Sequence, residues 1–131
     1  MTRFLTRLAA VSVAVLPLLP SPSQAAGPPV GVYGCYEPHL GARPGLMTFQ
    51  VAPTVMFGLI DGTTYSDYDG KRGAYTFDNG TGVLTMTNGS RQGWHYKKVG
   101  EWSFRMLTPN GQETSYTCPL EPAKDPLKRP W

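Results

Sequence analysis

Three aspartates in the middle of the chain come closest to a chemical motif. Asp61, Asp67 and Asp69 lie near two glycines, and the run Asp-Tyr-Asp-Gly suggests oxygen ligands for calcium. An EF-hand-type loop needs more oxygen ligands and a closing glutamate, whereas Lys71 and Arg72 follow this run directly. The pattern therefore favours carboxylates that form turns, and we predict no metal site.

The two histidines lack the neighbours that catalysis or metal binding requires. His95 lies between Trp94 and Tyr96, with no cysteine or acidic residue at the spacing of a nucleophile. His39 stands in a polar segment near Glu37. A zinc site needs three or four convergent ligands, and a catalytic triad needs a nucleophile and an orienting carboxylate. We therefore predict no catalytic residues and no cofactor.

A pair of carboxylates remains as the one enzymatic option. Asp67 together with Asp69 or Asp78 would supply the acid and the base of a glycosidase. The distance between two carboxyl groups decides that chemistry, and a sequence does not fix it. A small glycan-acting enzyme is therefore the third of three functional hypotheses.

The segment 61–72 is the longest polar connection in the central part of the chain, and it combines acids, bases and tyrosines. Mixed charge beside tyrosine suits the recognition of a glycan or a protein surface, and loops carry such sites more often than strands do. The alternative is a solvated hairpin with Tyr65 turned into the core. The predicted binding residues are Tyr65, Asp67, Tyr68, Asp69, Lys71 and Arg72.

The residues around this segment predict an all-β domain. Over residues 61–107, short runs rich in aromatic and β-branched residues alternate with Gly, Asn and Asp clusters, as in antiparallel strands joined by tight turns. No window shows helical periodicity. About eight or nine short strands at this spacing predict a small, mostly antiparallel barrel or barrel-like sandwich built on a β-meander.

Two further strands are predicted before the meander. Residues 46–51 alternate between apolar and polar, and residues 55–60 form a nearly continuous apolar run. Proline cannot donate within a ladder, so Pro53 between these runs indicates a turn. Residues 37–44 are polar and rich in turn formers, and we expect no strand there.

One hairpin of the meander predicts specific cross-strand pairs. With residues 79–82 as a four-residue loop, Phe77 lies opposite Leu84, and Tyr75 lies opposite Met86. A slip of one residue would turn these apolar side chains to the other face, so the register is strongly specified.

The following hairpin predicts a second aromatic ladder. A three-residue loop that ends at Gly100, in the left-handed conformation that glycine favours, places Tyr96 opposite Trp102 and Trp94 opposite Phe104. This register puts the aromatic pairs on the inner face, and it predicts that Trp102 is buried.

The two cysteines predict one disulfide bond. Cys35 lies in the first strand-like run and Cys118 ends the last, so a bridge would close almost the whole domain. The chain-entropy model gives about 4 to 5 kcal/mol for so long a loop. A lipid anchor on Cys35 is the alternative, but it would lie far beyond the apolar leader and leave Cys118 unpaired.

The chain divides into a leader, one domain and a tail. Residues 1–25 have the basic start, apolar stretch and small-residue cleavage site of a signal peptide, and they are too short and proline-broken to span a membrane. We therefore predict export to the periplasm or the extracellular space. Residues 26–118 form a single β domain, and residues 119–131 form a proline-rich extended tail.

Charge and glycosylation signals add little. Removal of the leader leaves ten basic residues against nine acidic ones, a net charge of +1, so we predict no nucleic-acid partner. Asn79 and Asn88 begin N-glycosylation sequons, which matter only in a eukaryotic source. Both sequences are also good turn formers, and that role is sufficient to explain them.

A run near the first cysteine and a longer run in the meander have counterparts elsewhere. These residues are Gly31-Val32-Tyr33-Gly34-Cys35, Thr64-Tyr65, Gly70-Lys71-Arg72-Gly73-Ala74-Tyr75, Asp78, Thr81-Gly82-Val83-Leu84 and Gly89. Through them the chain resembles a group of small exported bacterial proteins of unknown function, a resemblance that implies no activity. The middle run is also faintly similar to MORN repeats, without their tandem copies.

Three functions remain open at this point. The first is a non-enzymatic binding or interaction protein outside the cytoplasm, which would use a barrel mouth or an aromatic patch and whose partner is an unknown protein or glycan. The second is an inhibitor of an exported hydrolase, because small periplasmic barrels with one disulfide resemble bacterial metalloprotease inhibitors in plan. Its inserting segment would be the arm Ala26-Gly27-Pro28-Pro29. The third is the glycan-acting enzyme.

Overall fold

A computed structural model describes residues 10–17 and 27–131, and every regular element within these ranges is a β-strand. The predicted signal peptide lies largely outside the described residues, and its described part, 10–17, is exposed and belongs to no strand. No helix in the described ranges is long and apolar enough to cross a membrane. The strands are β1 Gly31–Tyr33, β2 Tyr36–Leu40, β3 Met47–Val51, β4 Phe57–Leu59, β5 Thr64–Asp67, β6 Arg72–Asp78, β7 Val83–Met86, β8 His95–Gly100, β9 Ser103–Leu107 and β10 Glu113–Glu121.

Eight of these strands close into an antiparallel barrel. Strands β1 and β4 to β10 follow one another around it in chain order, and β10 closes the circle by pairing with β1. The prediction of a small antiparallel all-β fold is confirmed, and the barrel form replaces the sandwich alternative. Strands β2 and β3 leave the barrel as a hairpin, residues 36–51, which we call the wing.

Rings and aliphatic chains fill the barrel. The rings of Tyr33 and Phe57 stack with centroids 5.0 Å apart, and Phe104 meets Tyr33 edge-on at 5.4 Å. The ring of Tyr96 approaches Phe57 at 4.5 Å. All four side chains are fully buried, and each contributes about 1.5 to 3 kcal/mol of transfer free energy to the core. Packed rings therefore occupy the barrel axis.

The predicted register of the β6–β7 hairpin is confirmed. Tyr75 lies opposite Met86 and Phe77 opposite Leu84. The four-residue loop between the strands begins after Asp78, whose Oδ1 accepts the main-chain N–H groups of the second and third loop residues at 2.8 and 3.2 Å. This acceptor stabilises the turn, and the turn in turn fixes the register.

The predicted register of the β8–β9 hairpin is wrong. Strand β8 continues to Gly100, and Tyr96 lies opposite Met106 rather than Trp102. The turn consists of Glu101 and Trp102 instead of residues 98–100, and Trp102 takes the left-handed conformation in it, with φ of 51°. Trp102 is half-buried and not part of the inner ladder. Its ring lies 4.3 Å from the ammonium group of Lys98, which stabilises it at the surface.

The predicted disulfide between Cys35 and Cys118 is confirmed. Both cysteines are fully buried, at the place where β10 changes its neighbour. Thr117 of β10 pairs with the wing, whereas Leu120 of the same strand pairs with β1. The bridge therefore ties the root of the wing to the last strand of the barrel.

The wing differs from the expectation for residues 37–44 and for the strand after them. Strand β2 runs to Leu40 and includes Pro38, where we predicted turns. Cys35 O accepts a hydrogen bond from β3, and Gly41 N donates one to β3. Main-chain groups of alternate residues point the same way, so the odd-numbered residues of β2 bond to β3 and the main chain of Pro38 faces away from it. Its missing N–H therefore leaves the β2–β3 ladder intact. The next predicted strand exists as β3, but all five of its residues are exposed.

The end of the chain lies against the barrel. Strand β10 continues to Glu121, so its last three residues belong to the segment predicted as a tail. Beyond this strand, the ring of Trp131 packs over Gly58, where an added Cβ would lie 2.9 Å from it. The guanidinium of Arg129 lies 5.5 Å from the centroid of the Trp131 ring, and Tyr68 meets that ring edge-on at 6.4 Å.

Candidate functional site

The structure divides the six predicted binding residues between the core and the surface. Segment 61–72 is a strand, a tight turn and the start of the next strand, as in the hairpin alternative. Tyr65 is 0 % exposed; its hydroxyl donates to Asn88 O at 2.7 Å and accepts from Arg91 N at 3.0 Å. Asp67 is also buried and Tyr68 is half-buried, whereas the exposed members are Asp69, Lys71 and Arg72.

Asp67 holds its own turn together. Its Oδ1 accepts the N–H of Lys71 at 2.9 Å, and its Oδ2 accepts the hydroxyl of Ser90 at 2.5 Å. Burial alone would raise the pKa of this carboxyl, but these hydrogen bonds and the nearby charge of Arg91 hold the pKa below its ordinary value of 3.8. Asp67 is therefore an ionised structural carboxylate, with both oxygens engaged.

Arg91 is a buried cation that sequence reasoning missed. Its guanidinium donates to the carbonyl oxygens of Val55 at 2.9 Å and Thr54 at 2.8 Å, and it lies 4.9 Å from the centroid of the Trp94 ring. The hydroxyl of Tyr96 donates to the same Val55 carbonyl at 3.0 Å. Arg91 therefore bonds the turn before β4 to the connection between β7 and β8. No local sequence signal pointed to this role.

These residues surround a small polar pocket of about 240 Å³. Its carboxylate at Asp67 and its guanidinium at Arg91 are both bonded to protein atoms. A binding site needs polar groups that a ligand can engage, and these two are already satisfied. The pocket is lined by Thr54, Asp67, Tyr68, Asp69, Ser90, Arg91 and Trp94.

Each of the two histidines has one polar contact nearby. His95 Nδ1 lies 2.9 Å from the hydroxyl of Thr85, and His39 Nε2 lies 3.5 Å from a carboxylate oxygen of Glu37 at the surface. Among the described residues, no group of three or more His, Cys, Asp and Glu side chains is placed to hold a metal ion.

Two residues of the arm proposed for a protease inhibitor, Pro28 and Pro29, lie against the barrel, whereas Gly27 is exposed. Pro28 is buried, and the carbonyl of Pro29 accepts the hydroxyl of Tyr33 at 2.9 Å. Ala26 lies outside the described residues. An inserting segment has to reach away from its own domain, and residues 28 and 29 do not.

The wing carries the most unusual surface of the described residues. Its register puts Tyr36 opposite Val51, Pro38 opposite Phe49, and Leu40 opposite Met47. Because directly opposite residues share a face, these six side chains form one apolar face. The intervening residues, Glu37, His39, Thr48 and Gln50, form a polar face on the other side. Leu40 is 85 % exposed and Phe49 is 69 % exposed.

A groove of about 680 Å³ lies between this apolar face and the outer face of the barrel. Its volume is in the range of small-molecule binding sites, which are mostly apolar with a few polar groups. The wing contributes two rings and a proline, and the barrel contributes a guanidinium, three hydroxyls and another proline. The lining residues are Tyr36, Pro38, Phe49, Arg105, Thr114, Ser115, Thr117 and Pro119.

A bulge in β10 shapes the barrel side of this groove. The pairing of β10 with β9 shifts between Glu113 and Thr117. Within the shift, the hydroxyl of Thr114 donates to Met106 O at 2.7 Å and accepts from the N–H of Tyr116 at 3.3 Å. Bulges redirect side chains and often lie beside functional sites. This one leaves Ser115 exposed at the groove.

One charged cluster anchors the root of the wing. The hydroxyl of Tyr36 donates to Glu121, and the ammonium of Lys124 lies 2.6 Å from the same carboxylate. Burial alone would raise the pKa of Glu121, but these two donors outweigh it and hold the pKa below the ordinary value of 4.5. Tyr36 is therefore fixed in position where it lines the groove.

Sequence reasoning found the wing only in part. The alternation of residues 46–51 predicted a strand with one apolar side, and that strand exists. The pairing of this strand with β2, which creates the groove, was hidden because residues 37–44 resemble a turn.

No protein-family model, curated protein or solved structure matches this chain, so its proposed function rests on the geometry of the described residues.

Proposed function

We propose that this protein is an exported, non-enzymatic binding protein that holds an apolar ligand in the groove between the wing and the barrel. One observation carries the proposal: the apolar face of the wing is exposed directly beside a groove of ligand size. The barrel axis is filled by packed rings, so the ligand would bind on the outside of the fold.

The energetics of the wing support an occupied groove. An isolated two-stranded hairpin is at best marginally stable in water. The wing shares one ladder pair with the barrel, Tyr36–Thr117, and its other ties, the disulfide and the bond from Tyr36 to Glu121, lie at its root. Each Å² of apolar surface that a ligand removes from water stabilises the complex by about 25 cal/mol. Coverage of Phe49 would therefore stabilise the ligand and the wing together.

The lining also indicates the chemistry of the ligand. Rings and prolines suit an apolar body. The guanidinium of Arg105 uses Nη1 for Glu113 Oε2 at 3.3 Å and carries further N–H groups, which together with the hydroxyls of Ser115 and Thr117 suit a hydrogen-bond acceptor or an anionic group at one end. We therefore propose an amphiphile with an apolar body and an acidic head as the ligand class.

Export is part of the same proposal. The buried disulfide would persist in an oxidising compartment, and the leader-like residues 1–25 would direct the chain there. A protein or glycan partner at Asp69, Lys71 and Arg72 stays a prediction from the sequence.

A fluorescent amphiphile tests the groove. We expect 1-anilinonaphthalene-8-sulfonate, an apolar dye with an anionic head, to bind the native protein saturably with a blue-shifted emission. Ser115→Trp should reduce its affinity roughly tenfold or more, because the indole would occupy the groove. Arg105→Gln should weaken binding several-fold, because it removes the cation.

The matched control for the groove variants is Thr76→Trp, at an exposed strand position that does not line the groove. This variant should bind the dye as the parent does. Equal dye affinity in Ser115→Trp and Thr76→Trp, with both proteins folded by circular dichroism, would contradict the proposed binding site.

A further inference from the structure

The outer edge of the wing is an open strand. Strand β3 stands at the end of the strand order, and β2 is its one strand partner among the described residues. Ala52 N–H donates to Cys35 O at 2.8 Å, and Leu46 O accepts from Gly41 N–H at 2.6 Å. Even-numbered residues of this strand therefore direct their main-chain groups to β2, and odd-numbered residues direct theirs outward.

Three residues consequently offer main-chain donors and acceptors to a further strand. These are Met47, Phe49 and Val51, whose side chains also form the outer row of the apolar face. Proteins usually protect such an edge with a charge, a proline or a bulge. The sequence Met-Thr-Phe-Gln-Val of β3 has neither a charge nor a proline, and its pairing with β2 is regular.

We propose that the edge of β3 pairs antiparallel with the same edge of a second copy of this chain, about a two-fold axis beside Phe49. In this register Phe49 faces Phe49 of the second copy, and Met47 faces Val51 of the second copy. Each of the three outward residues then donates one hydrogen bond and accepts one. A two-fold axis at residue 48 or 50 would leave one of the three without a partner.

The side chains agree with this register on both faces. On the apolar face, the pairs Phe49–Phe49 and Met47–Val51 bring exposed apolar surfaces together, which stabilises a sheet. On the polar face, Thr48 lies opposite Gln50 of the second copy, so two neutral hydrogen-bonding side chains meet. Identical surfaces carry identical charges, and this edge is neutral throughout, so self-pairing meets no like-charge repulsion.

The size of the contact predicts a weak dimer. A five-residue strand is about 17 Å long, and an interface limited to one strand edge falls below the area of stable complexes. We expect a dissociation constant on the order of 10 to 100 µM. The pairing would join the two barrels through one continuous sheet, in which each groove keeps its own lining from β9 and β10.

Charge-swapped variants test the proposal by sedimentation. Parent protein should shift from monomer to dimer between about 5 µM and about 1 mM. Phe49→Lys and Phe49→Glu, each alone, should raise the dissociation constant roughly tenfold or more, because like charges then face each other across the axis. An equimolar mixture of these two variants should form a heterodimer, because the opposite charges face each other.

Recovery on mixing separates this pairing from a loss of fold or of groove binding, since neither would be repaired by a second variant. The control Leu127→Lys, at an exposed apolar residue outside the wing, should dimerise as the parent does. A parent that stays monomeric at about 1 mM overturns the proposal. So does a monomer whose β3 edge instead takes up an added extended peptide, or a variant mixture that stays monomeric.

Single cysteines test the register. Phe49→Cys should give a disulfide-linked dimer under mild oxidation, because facing residues in a hydrogen-bonded pair have Cα atoms about 5.5 Å apart. Val51→Cys should not, because its equivalent in the second copy lies about four residues along the strand, roughly 14 Å away. Cross-linking that is equal at the two positions, or absent at both, overturns the proposed axis.

Discussion

Two hairpins of this protein share one pattern and have opposite environments. The β6–β7 hairpin and the wing both alternate apolar and polar residues, and both put the apolar residues on one face. In the first hairpin Leu84 is fully buried against the barrel core, whereas Leu40 in the wing is 85 % exposed. Alternation therefore identifies a face, and the packing of distant strands decides whether the domain itself covers that face.

The difference arises at β10. This strand pairs with β1 near its end and with β2 through Thr117, so the two early strands use successive parts of the same neighbour. The barrel is already complete without the wing, and much of the apolar face of the wing, including Leu40 and Phe49, stays exposed beside the groove. Every strand of a closed barrel has a neighbour on both sides, so the barrel itself leaves no free edge. The open strand edge of this fold is β3, at the outer side of the wing.

The largest expected effect comes from removal of the disulfide bond, which connects the root of the wing to the barrel. Replacement of both Cys35 and Cys118 by alanine should lower the free energy of unfolding by about 4.5 kcal/mol, because the bridge closes a loop with a sequence separation of 83. Urea denaturation of the double variant and the parent measures the loss. An unchanged midpoint would mean that strand pairing alone holds the root of the wing.

A matched pair of leucines tests the comparison directly. Leu84→Ala should cost about 2 to 5 kcal/mol, because it opens a cavity in the core. Leu40→Ala should change stability by less than about 0.5 kcal/mol, because its side chain already faces water. Thermal and urea unfolding of dilute protein measure both. Similar costs at the two positions would show that the wing is part of the cooperative core.

The smallest effect concerns the polar anchor of the wing. The pKa of Glu121 is lower in the folded protein than its ordinary value of 4.5, so its bonds stabilise the fold above that pH. The contribution is lost as the pH falls from about 4.5 through the folded pKa. Glu121→Gln should be less stable than the parent at pH 7, and the difference should shrink in acid.

Melting temperatures between about pH 7 and pH 3 measure this contribution. Glu101→Gln, at an exposed turn residue, is the control and should follow the parent over the whole range. If the difference in melting temperature between Glu121→Gln and the parent widens in acid, the pH dependence has the opposite sign, and Glu121 does not stabilise the root of the wing as an ionised carboxylate.

The parts of the fold that follow from the sequence are those governed by short-range geometry. The four-residue loop before Val83 determined the pairing of Phe77 with Leu84, because Asp78 stabilises that turn locally. The disulfide was predictable because the chain has two cysteines, one near each end of the predicted domain. Tyr65 in the core was an alternative that the sequence left open, since strand and loop patterns overlap in a short polar segment.

The parts that do not follow depend on unusual backbone or on distant partners. Trp102 adopts a left-handed conformation that is rare for residues other than glycine, in a turn that lies later in the chain than predicted, and the β8–β9 ladder has a further irregularity between Lys98 and Gly100. Arg91 is held by carbonyl groups that lie 36 and 37 residues away, at Val55 and Thr54. The groove exists because residues 36–40 form strand β2, and Pro38 in the middle of this segment made it resemble a turn.

The filled barrel has a consequence for how this protein can change over time. A barrel that holds its ligand inside must alter its core to alter its preference, and every such substitution threatens the fold. Here the interior rings serve stability, and exposed side chains such as Phe49 and Leu40 form the face beside the groove. On the proposed function, substitutions at those positions would change the preference for ligands with little effect on the melting temperature, so this surface is the starting point for engineering a new specificity.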